Sequence, residues 1–232
     1  MSSGNNFFNK ISLQRVNQLN NFDFFEKYEI LDFGCGDCDR WDHWLRKNGG
    51  RKVVGIDLDL NRIKNAKKNI TNGTEFLVCD GQHLPFRDCC FHHVHIDGVL
   101  HHCPNILESL NEIKRILYGT LQIGEAVDNY LPFRISRRLI KRWRGKKITC
   151  YFKSDQLYND IKKHFRIKET NFYFSTLISN IISYVGISNN YYYRRYFPLF
   201  SKIDSVLTSI LKKLGFIIYF CNHLEILATS EC

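Results

Sequence analysis

The chain has 232 residues, of which 44% are hydrophobic and 14% aromatic, and its formal net charge is +10. This apolar content is enough for the core of one folded α/β domain and excludes an intrinsically disordered chain. The sequence shows neither a secretion signal nor an apolar run of membrane-spanning length, so we expect a cytoplasmic protein, with peripheral association at a membrane left open.

Strand and helix patterns alternate through the first half of the sequence. Residues 1–27 predict a short helical segment, residues 28–126 a core of strands and helices, and residues 127–153 a basic connector. The spacing within the core is that of βαβ units with a parallel sheet. Its predicted strands lie near 28–33, 52–57, 75–80, 92–97 and 120–125, and its predicted helices near 39–48, 60–70 and 105–117.

Two more strands are predicted in the second half, with an insertion between them. A helix is expected from Ser154 through Lys163, then a strand over 165–174, and residues 216–229 can return as an antiparallel strand. The intervening residues 175–215 are too many for a plain hairpin and show two amphipathic helical patterns. These helices either pack on the sheet or form a lid that contacts a membrane or an apolar substrate.

Together these elements predict one α/β domain over residues 1–232. Its sheet is Rossmann-like, doubly wound and seven-stranded, mostly parallel with an antiparallel last strand, and a helical insertion separates the last two strands. In open sheets of this kind, ligands bind beyond the carboxyl ends of the strands. The residues at those ends are therefore the candidates for a functional site.

A glycine-containing turn directly follows the first predicted strand. The strand ends near Asp32, and the chain then turns through Gly34 and Gly36, which permit positive φ and close approach of a ligand. Dinucleotide-binding loops use the same spacing of glycines. However, Asp37 and Asp39 stand where the next helix should begin, and carboxylates there would repel a pyrophosphate. A nucleoside cofactor without phosphates, such as S-adenosylmethionine, fits this loop better.

Two further acids end the next two predicted strands. Asp57 follows the loop by about 20 residues, where a parallel sheet brings a carboxylate to a ribose diol. Asp80 ends the third strand in the same way. Three acids at successive strand ends, counted with Asp32, can serve the amino acid end, the ribose and the adenine of S-adenosylmethionine.

Over residues 28–126 the sequence resembles the class I S-adenosylmethionine-dependent methyltransferases. Within them it is similar to the type 11 branch, which includes ubiquinone and menaquinone methyltransferases. The resemblance rests on several motifs in the family's order. They are Asp32-Phe33-Gly34-Cys35-Gly36, Gly55-Ile56-Asp57, Cys79-Asp80-Gly81, the segment 84–91, Val99-Leu100-His101-His102, the helix 107–117, the turn at Gly119 and Leu121-Gln122-Ile123-Gly124-Glu125.

The resemblance implies roles for individual residues. Gly34 and Gly36 would contact the methionine and ribose parts of the cofactor, Asp57 the ribose hydroxyls, and Asp80 the adenine amine. Asp32 would lie under the amino acid end. The full set of implied cofactor-binding residues is Asp32, Gly34, Cys35, Gly36, Asp57, Leu58, Asp80, Gly81 and Asp97.

Three positions depart from the family's pattern. Cys38 stands where a third glycine or small residue is frequent, and His92 stands where an acid is common. Tyr118-Gly119 replaces the usual Pro-Gly-Gly type of turn before the fifth strand. Because Cys38 is small, we expect the loop to close.

Two adjacent histidines, His101 and His102, follow the fourth predicted strand, close to where the methyl group should be presented. Each is either a general base or a structural histidine at the rim of the pocket. A sulfonium carries its own leaving group, so methyl transfer needs alignment more than a catalytic side chain. A phenol or enol acceptor does need a base, with His101 the first candidate and His102 the second.

The nine cysteines are an odd number scattered over strands and loops, which indicates reduced thiols and not a disulfide framework. Cys35 and Cys38 have the spacing of half a zinc site. No second Cys-x-x-Cys pair follows, and Cys35 belongs to the cofactor loop, so no metal is predicted.

A run of Arg and Lys from Arg134 to Lys147 contains no acid. It is either a solvated face or a site for anionic lipid headgroups, a phosphorylated substrate or RNA. The expected function is methyl transfer from S-adenosylmethionine to a small-molecule or lipid-like, quinone-like acceptor. The alternatives are an RNA methyltransferase that uses residues 134–147, and a noncatalytic partner subunit with a methyltransferase fold.

Overall fold

The computed structural model describes residues 30–38, 53–69, 74–129, 134–135, 138, 152–173, 191–215, 217, 221 and 223–230. The predicted helices within 1–27 and 39–48 lie outside these residues, as do the first helix of the insertion and most of the basic run from Arg134 to Lys147. Contacts group the chain into two compact units. One contains the described parts of 12–125, 158–170 and 225–232, and the other those of 126–157 and 171–224.

Seven strands form one mixed sheet, six of them parallel and the last antiparallel, as predicted. Their order across the sheet is β3-β2-β1-β4-β5-β7-β6. β2 and β3 therefore lie on one side of β1, and the chain then crosses to the other side of β1 to form β4. The strands are β1 Ile30–Phe33, β2 Val53–Asp57, β3 Thr74–Val78, β4 Phe91–Asp97, β5 Leu117–Ala126, β6 Arg166–Tyr173 and β7 His223–Thr229.

The register of the parallel strands aligns their carboxyl ends at one edge. Asp32 of β1 pairs with Gly55 of β2 on one side and with His95 of β4 on the other. All four residues of β1 are buried, as expected for a central parallel strand covered on both faces. The turn after β1 therefore opens beside the ends of β2 and β4.

Within the described residues, five helices connect or follow these strands. Asp59 accepts a hydrogen bond from the N–H of Asn61 at 2.8 Å, as expected for a residue that caps α1. The next helix, α2, begins at Ile106, one residue after the predicted start at 105, because the Asn105 side chain caps it. The helices are α1 Leu60–Asn69, the 3₁₀ helix Leu100–His102, α2 Ile106–Ile116, α3 Ser154–His164 and α4 Tyr191–Lys213.

The predicted turn at Gly119 is wrong. Leu117 already has extended backbone angles and pairs with Phe91, so β5 begins directly after α2 and three residues before the predicted start at 120. Gly119 has no room for a side chain, because a Cβ there would lie 2.2 Å from the carbonyl oxygen of His92. The residue permits a close approach of two strands within the sheet.

The second unit contains α4, which forms part of the predicted insertion 175–215. At the start of α3, the N–H of Ser154 donates to Oδ1 of Asn129 at 2.9 Å, and the N–H of Asp128 donates to the carbonyl of Phe152 at 2.9 Å.

Across the described ranges, the helices are all too short or too polar to cross a membrane.

Candidate cofactor-binding site

The turn after β1 has the backbone conformation that its glycines predict. Gly34 has φ +74° and Gly36 has φ +59°, both in the left-handed region. Cys38 also has a positive φ of +56°, although it is not a glycine. The position where the family often has a third small residue thus keeps a glycine-like conformation, and the loop closes as expected.

Two hydrogen bonds tie this turn to the end of β2. The N–H of Cys35 donates to the carbonyl of Ile56 at 2.8 Å, and the N–H of Gly36 donates to Oδ2 of Asp57 at 3.0 Å. The structure therefore brings together the glycine turn and the second strand-end acid, which were predicted to share one ligand.

Gly34 also packs against the segment that follows β4. A Cβ built at Gly34 would lie 2.5 Å from both methyl carbons of Val99, a distance that real Cβ atoms do not show. Val99 is the N-cap of the 3₁₀ helix that carries His101 and His102. The loop and the two candidate histidines are therefore direct neighbours in the fold.

Asp57 accepts a backbone hydrogen bond on each carboxylate oxygen. Besides Gly36, the N–H of Asp59 donates to Oδ1 at 2.8 Å. A carboxylate has about four acceptor positions, so two backbone donors leave capacity for ribose hydroxyls. Between the two acids, the side chain of Leu58 is 72% exposed, which leaves an apolar surface beside a carboxylate.

Asp80 is held by Gln82. The N–H of Gln82 donates to Oδ1 of Asp80 at 2.9 Å, and its side-chain amide lies 3.2 Å from both carboxylate oxygens. The amide oxygen of Gln82 in turn accepts from the N–H of Asn105, the cap of α2, at 3.1 Å. Gln82 is thus a site residue that the sequence did not indicate.

Gly81, the residue after Asp80, packs against the ring of Phe33, because a Cβ built at Gly81 would lie 2.2 Å from that ring.

Asp32 is the penultimate residue of β1 and Asp97 the last residue of β4, and the two lie at the same edge of the sheet. Asp32 is only 8% exposed, and Asp97 is half-buried. The N–H of Gly98 donates to the carbonyl of Gly124 at 2.8 Å, which keeps the ends of β4 and β5 together. The parallel sheet therefore places the three predicted strand-end acids, Asp32, Asp57 and Asp80, along one edge together with Asp97.

An acid at the end of β5 also belongs to this edge. Glu125 is completely buried, its Oε1 accepts from the N–H of Leu100 at 2.6 Å, and its Oε2 lies 2.8 Å from Nδ1 of His101. Glu125 lies on the fifth predicted strand, and the sequence pattern alone did not indicate a role for it. The same rule that selected Asp57 and Asp80, an acid where a parallel strand ends, would have found it.

An arginine in α2 holds the segment before β4. Arg115 donates to both carboxylate oxygens of Glu112 at 2.9 and 2.8 Å and to the carbonyls of Leu84 and Phe86 at 3.0 and 2.7 Å. It also bonds to Asp88 at 2.7 Å. These bonds keep the pKa of Glu112 below its usual value, chiefly through the Arg115 side chain. They fix the chain where it leaves Asp80 and returns to β4.

Cys35 in the glycine turn and Cys79 after β3 are thiols and not thiolates. The hydrogen bond with Cys38 and then burial raise the pKa of Cys35, and burial raises the pKa of Cys79 to about 11. Six described cysteines are free, which agrees with the expected reduced state. Cys89 differs, because it is disulfide-bonded.

Residues 31–119 match the protein family described as methyltransferase domain. Demethylmenaquinone methyltransferases from two strains of Staphylococcus epidermidis are 29% identical to this chain over 125 residues, which are 45% of this chain and 52% of each relative. The chain thus spans about half the length of these curated relatives.

Solved structures share the fold across nearly the whole chain. A putative methyltransferase from Bacillus halodurans C-125 has a TM-score of 0.63 at 18% identity, covering 96% of this chain and 100% of that one. The cyclase SpnF has a TM-score of 0.62 at 16% identity, covering 94% and 81%. One neighbour is described as a methyltransferase and the other as a cyclase, so at these identities the likeness establishes the fold alone.

Proposed function

We propose that this chain, whose residues 31–119 belong to the methyltransferase domain family, is an S-adenosylmethionine-dependent methyltransferase that acts on a small-molecule acceptor. One observation carries the proposal: the glycine turn after β1 is hydrogen-bonded through Gly36 to the carboxylate of Asp57. This places a turn that a ligand can approach closely beside an acid that can accept ribose hydroxyls.

The cofactor would lie along the carboxyl edge of the sheet. When bound, it supplies an electrophilic methyl group on a sulfonium, and the protein has to hold it, align the acceptor and exclude water. We assign the amino acid end to the Asp32 side of the turn and the ribose to Asp57. The residues proposed to hold it are Asp32, Gly34, Cys35, Gly36, Asp57, Leu58, Asp80, Gly81 and Asp97.

The described residues fit such a ligand. Asp57 retains acceptor positions after its two backbone bonds, and the exposed Leu58 offers an apolar surface that an adenine ring can cover. Among the described residues, a Cβ built at Gly36 would meet only Arg62, at 3.6 Å, so these residues leave space beside this glycine. Asp80 shares its oxygens with Gln82, and this pair together would meet the adenine amine.

We further propose an apolar, quinone-like acceptor. The relatives that match part of this chain are described as demethylmenaquinone methyltransferases, which supports this class of acceptor for the present chain.

An exposed face of α4 supports association with a membrane that contains such an acceptor. Ile203, Val206 and Ile210 are each at least 40% exposed and lie on one side of the helix, with Leu214 just beyond its end. Exposed Lys202 and Lys213 border this stripe, and the whole chain has a net charge of +10. An apolar stripe beside lysines fits the surface of an anionic bilayer.

Transfer of a radiolabelled methyl group tests the reaction. We expect label from S-adenosylmethionine to enter a reduced naphthoquinone, with Gly34→Ala as the variant that loses transfer because the altered turn cannot hold the cofactor. Transfer to RNA and not to the quinol would replace the proposed acceptor. Tight S-adenosylmethionine binding without transfer to any acceptor would favour the noncatalytic partner subunit.

Sedimentation with vesicles tests the membrane surface. We expect binding to vesicles rich in phosphatidylglycerol and little binding to phosphatidylcholine alone. Val206→Asp should reduce binding severalfold, whereas Ser205→Asp adds the same charge at a neighbouring exposed position off the stripe and should reduce it less. Equal effects of the two variants would contradict a role for the apolar stripe.

A further inference from the structure

A buried glutamate and a histidine form a pair at the ends of β4 and β5. Glu125 has no exposed surface, and the side chain of His101 is only 8% exposed. The carboxylate spans two partners, the N–H of Leu100 at 2.6 Å and Nδ1 of His101 at 2.8 Å. The glutamate is therefore held at the start of the 3₁₀ helix while it contacts the imidazole ring.

The hydrogen-bond partners determine which ring nitrogen carries the proton. Both distances are short, as is typical of hydrogen bonds to a charged carboxylate, and a carboxylate oxygen can only accept. Nδ1 of a neutral His101 is then the donor to Glu125. Nε2 consequently has the lone pair and is the ring atom that can take up a proton.

This pair lies beside the proposed cofactor turn. The methyl carbons of Val99 fill the position where a side chain at Gly34 would be, and Val99 directly precedes the 3₁₀ helix Leu100–His102. His101 is therefore on the segment that contacts the turn proposed to hold the methionine part of the cofactor.

We propose that Glu125 is a positioning residue that holds His101 as the general base, and that the acceptor carries a phenolic or enolic hydroxyl. The proposal rests on the proposed function. An acceptor such as a thioether already presents an unprotonated lone pair, whereas a hydroxyl must lose its proton as it reacts. A hydroxyl acceptor therefore requires a base near the methyl group, and an imidazole oriented by a carboxylate beside the cofactor turn can be that base.

The step can be written with all atoms assigned. The acceptor hydroxyl gives its proton to Nε2 of His101, and the electron pair of the resulting phenolate or enolate forms the bond to the methyl carbon. The pair of the broken carbon–sulfur bond stays with sulfur. The imidazolium next to Glu125 returns its proton to water.

The pair also distinguishes the two candidate histidines. The rings of His101 and His102 are 4.0 Å apart between centroids, but His102 is exposed and it is His101 that contacts the carboxylate. We therefore assign the base to His101.

Glu125→Gln tests the proposal because it is nearly isosteric. Its amide oxygen can still accept from Leu100, while its NH₂ faces Nδ1 of His101 and moves the ring proton to Nε2. The matched control is Glu225→Gln, the same change at a buried glutamate in β7. The first readout is the set of nitrogen chemical shifts of ¹⁵N-histidine-labelled protein, in which the signals missing from His101→Asn belong to His101. The second is S-adenosylmethionine binding by calorimetry, and the third is methyl transfer to a reduced naphthoquinone.

We expect a protonated Nδ1 in the wild type and in Glu225→Gln, and a protonated Nε2 in Glu125→Gln. The kcat of Glu125→Gln should fall by about 100-fold or more with unchanged cofactor affinity. A wild-type His101 with its proton on Nε2, or an unchanged kcat in Glu125→Gln, would overturn the proposal. Absence of S-adenosylmethionine binding in the wild type would instead contradict the proposed function, since the tautomer is measured without cofactor.

Discussion

The N–H of Gly36 donates a hydrogen bond to Oδ2 of Asp57 over 3.0 Å, which joins the turn after β1 to the end of β2. The same carboxylate accepts from Asp59 through Oδ1. We therefore propose two roles for Asp57: it stabilises the glycine turn, and it presents its remaining acceptor positions to a ribose. Substitutions in the turn and at the acid should consequently affect the same ligand.

Replacement of Gly34 by alanine should disrupt both the turn and its ligand. The residue has φ +74°, and the added Cβ would lie 2.5 Å from Val99. A left-handed alanine costs about 1–2 kcal/mol, and overpacking adds about 1–3 kcal/mol. We expect Gly34→Ala to lower the free energy of unfolding by about 2–5 kcal/mol in urea titrations and to abolish S-adenosylmethionine binding.

Gly215→Ala is the matched control for that experiment. Gly215 has nearly the same φ, +73°, but none of the described residues lies within 4 Å of a Cβ built there. It should cost only about 1–2 kcal/mol for the backbone conformation and leave cofactor binding unchanged. Equal losses of stability in the two variants would show that Val99 does not constrain the turn.

Replacement of Arg115 by methionine should destabilise the protein by about 2–3 kcal/mol. The change removes hydrogen bonds to the carbonyls of Leu84 and Phe86, and of the described partners of Glu112 it leaves only the N–H of Leu84. Urea unfolding of Lys163→Met provides the comparison, since Lys163 and Asp160 also form an i,i+3 pair but Lys163 is exposed. That control should change stability by less than about 0.5 kcal/mol. Similar values for both variants would contradict the anchoring role of Arg115.

His93 should make the stability of the fold depend on pH. Burial, with smaller contributions from His95 and His92, lowers the pKa of His93 to about 3. In the unfolded chain the imidazole titrates near the ordinary histidine pKa of 6.5, so below that pH the unfolded state binds the extra proton and stability falls as pH falls. Between pH 7 and pH 5, His93 should account for a loss of about 2 kcal/mol.

The measurement is urea unfolding at pH 7 and pH 5 for the wild type and for His93→Gln. Glutamine can retain a hydrogen bond to Thr120, whose hydroxyl lies 2.7 Å from Nδ1 of His93. The variant should show a smaller difference between the two pH values, whereas His83→Gln, at an exposed position, should keep the wild-type difference. An undiminished difference in His93→Gln would assign the pH dependence to other groups.

Much of the sheet and its edge could be predicted from local sequence. Apolar runs that end in Asp32, Asp57 and Asp80 mark parallel strands, because such strands are buried on both faces and then emerge at a common edge. The glycines after β1 predict positive φ, which Gly34 and Gly36 have. These features depend on residues close together in the chain, where pattern and spacing carry the information.

What the sequence did not reveal depends on contacts between distant residues. The pairing of Glu125 with His101 joins positions 24 apart, and Gln82 joins Asp80 to the cap of α2. The turn expected at Gly119 was wrong because the requirement for glycine comes from the backbone of His92 in the neighbouring strand. A glycine alone does not distinguish a turn from a close approach of two strands.

Calorimetric titration with S-adenosylmethionine is the most direct test of the central claim that the edge formed by the glycine turn and Asp57 binds this cofactor. The wild type is compared with Asp57→Ala and with Asp59→Ala, which removes a neighbouring acid that caps α1. We predict saturable binding by the wild type and by Asp59→Ala, at least tenfold weaker binding by Asp57→Ala, and no binding of NAD. Absence of S-adenosylmethionine binding by folded wild-type protein, or equal affinity in Asp57→Ala, would contradict the account.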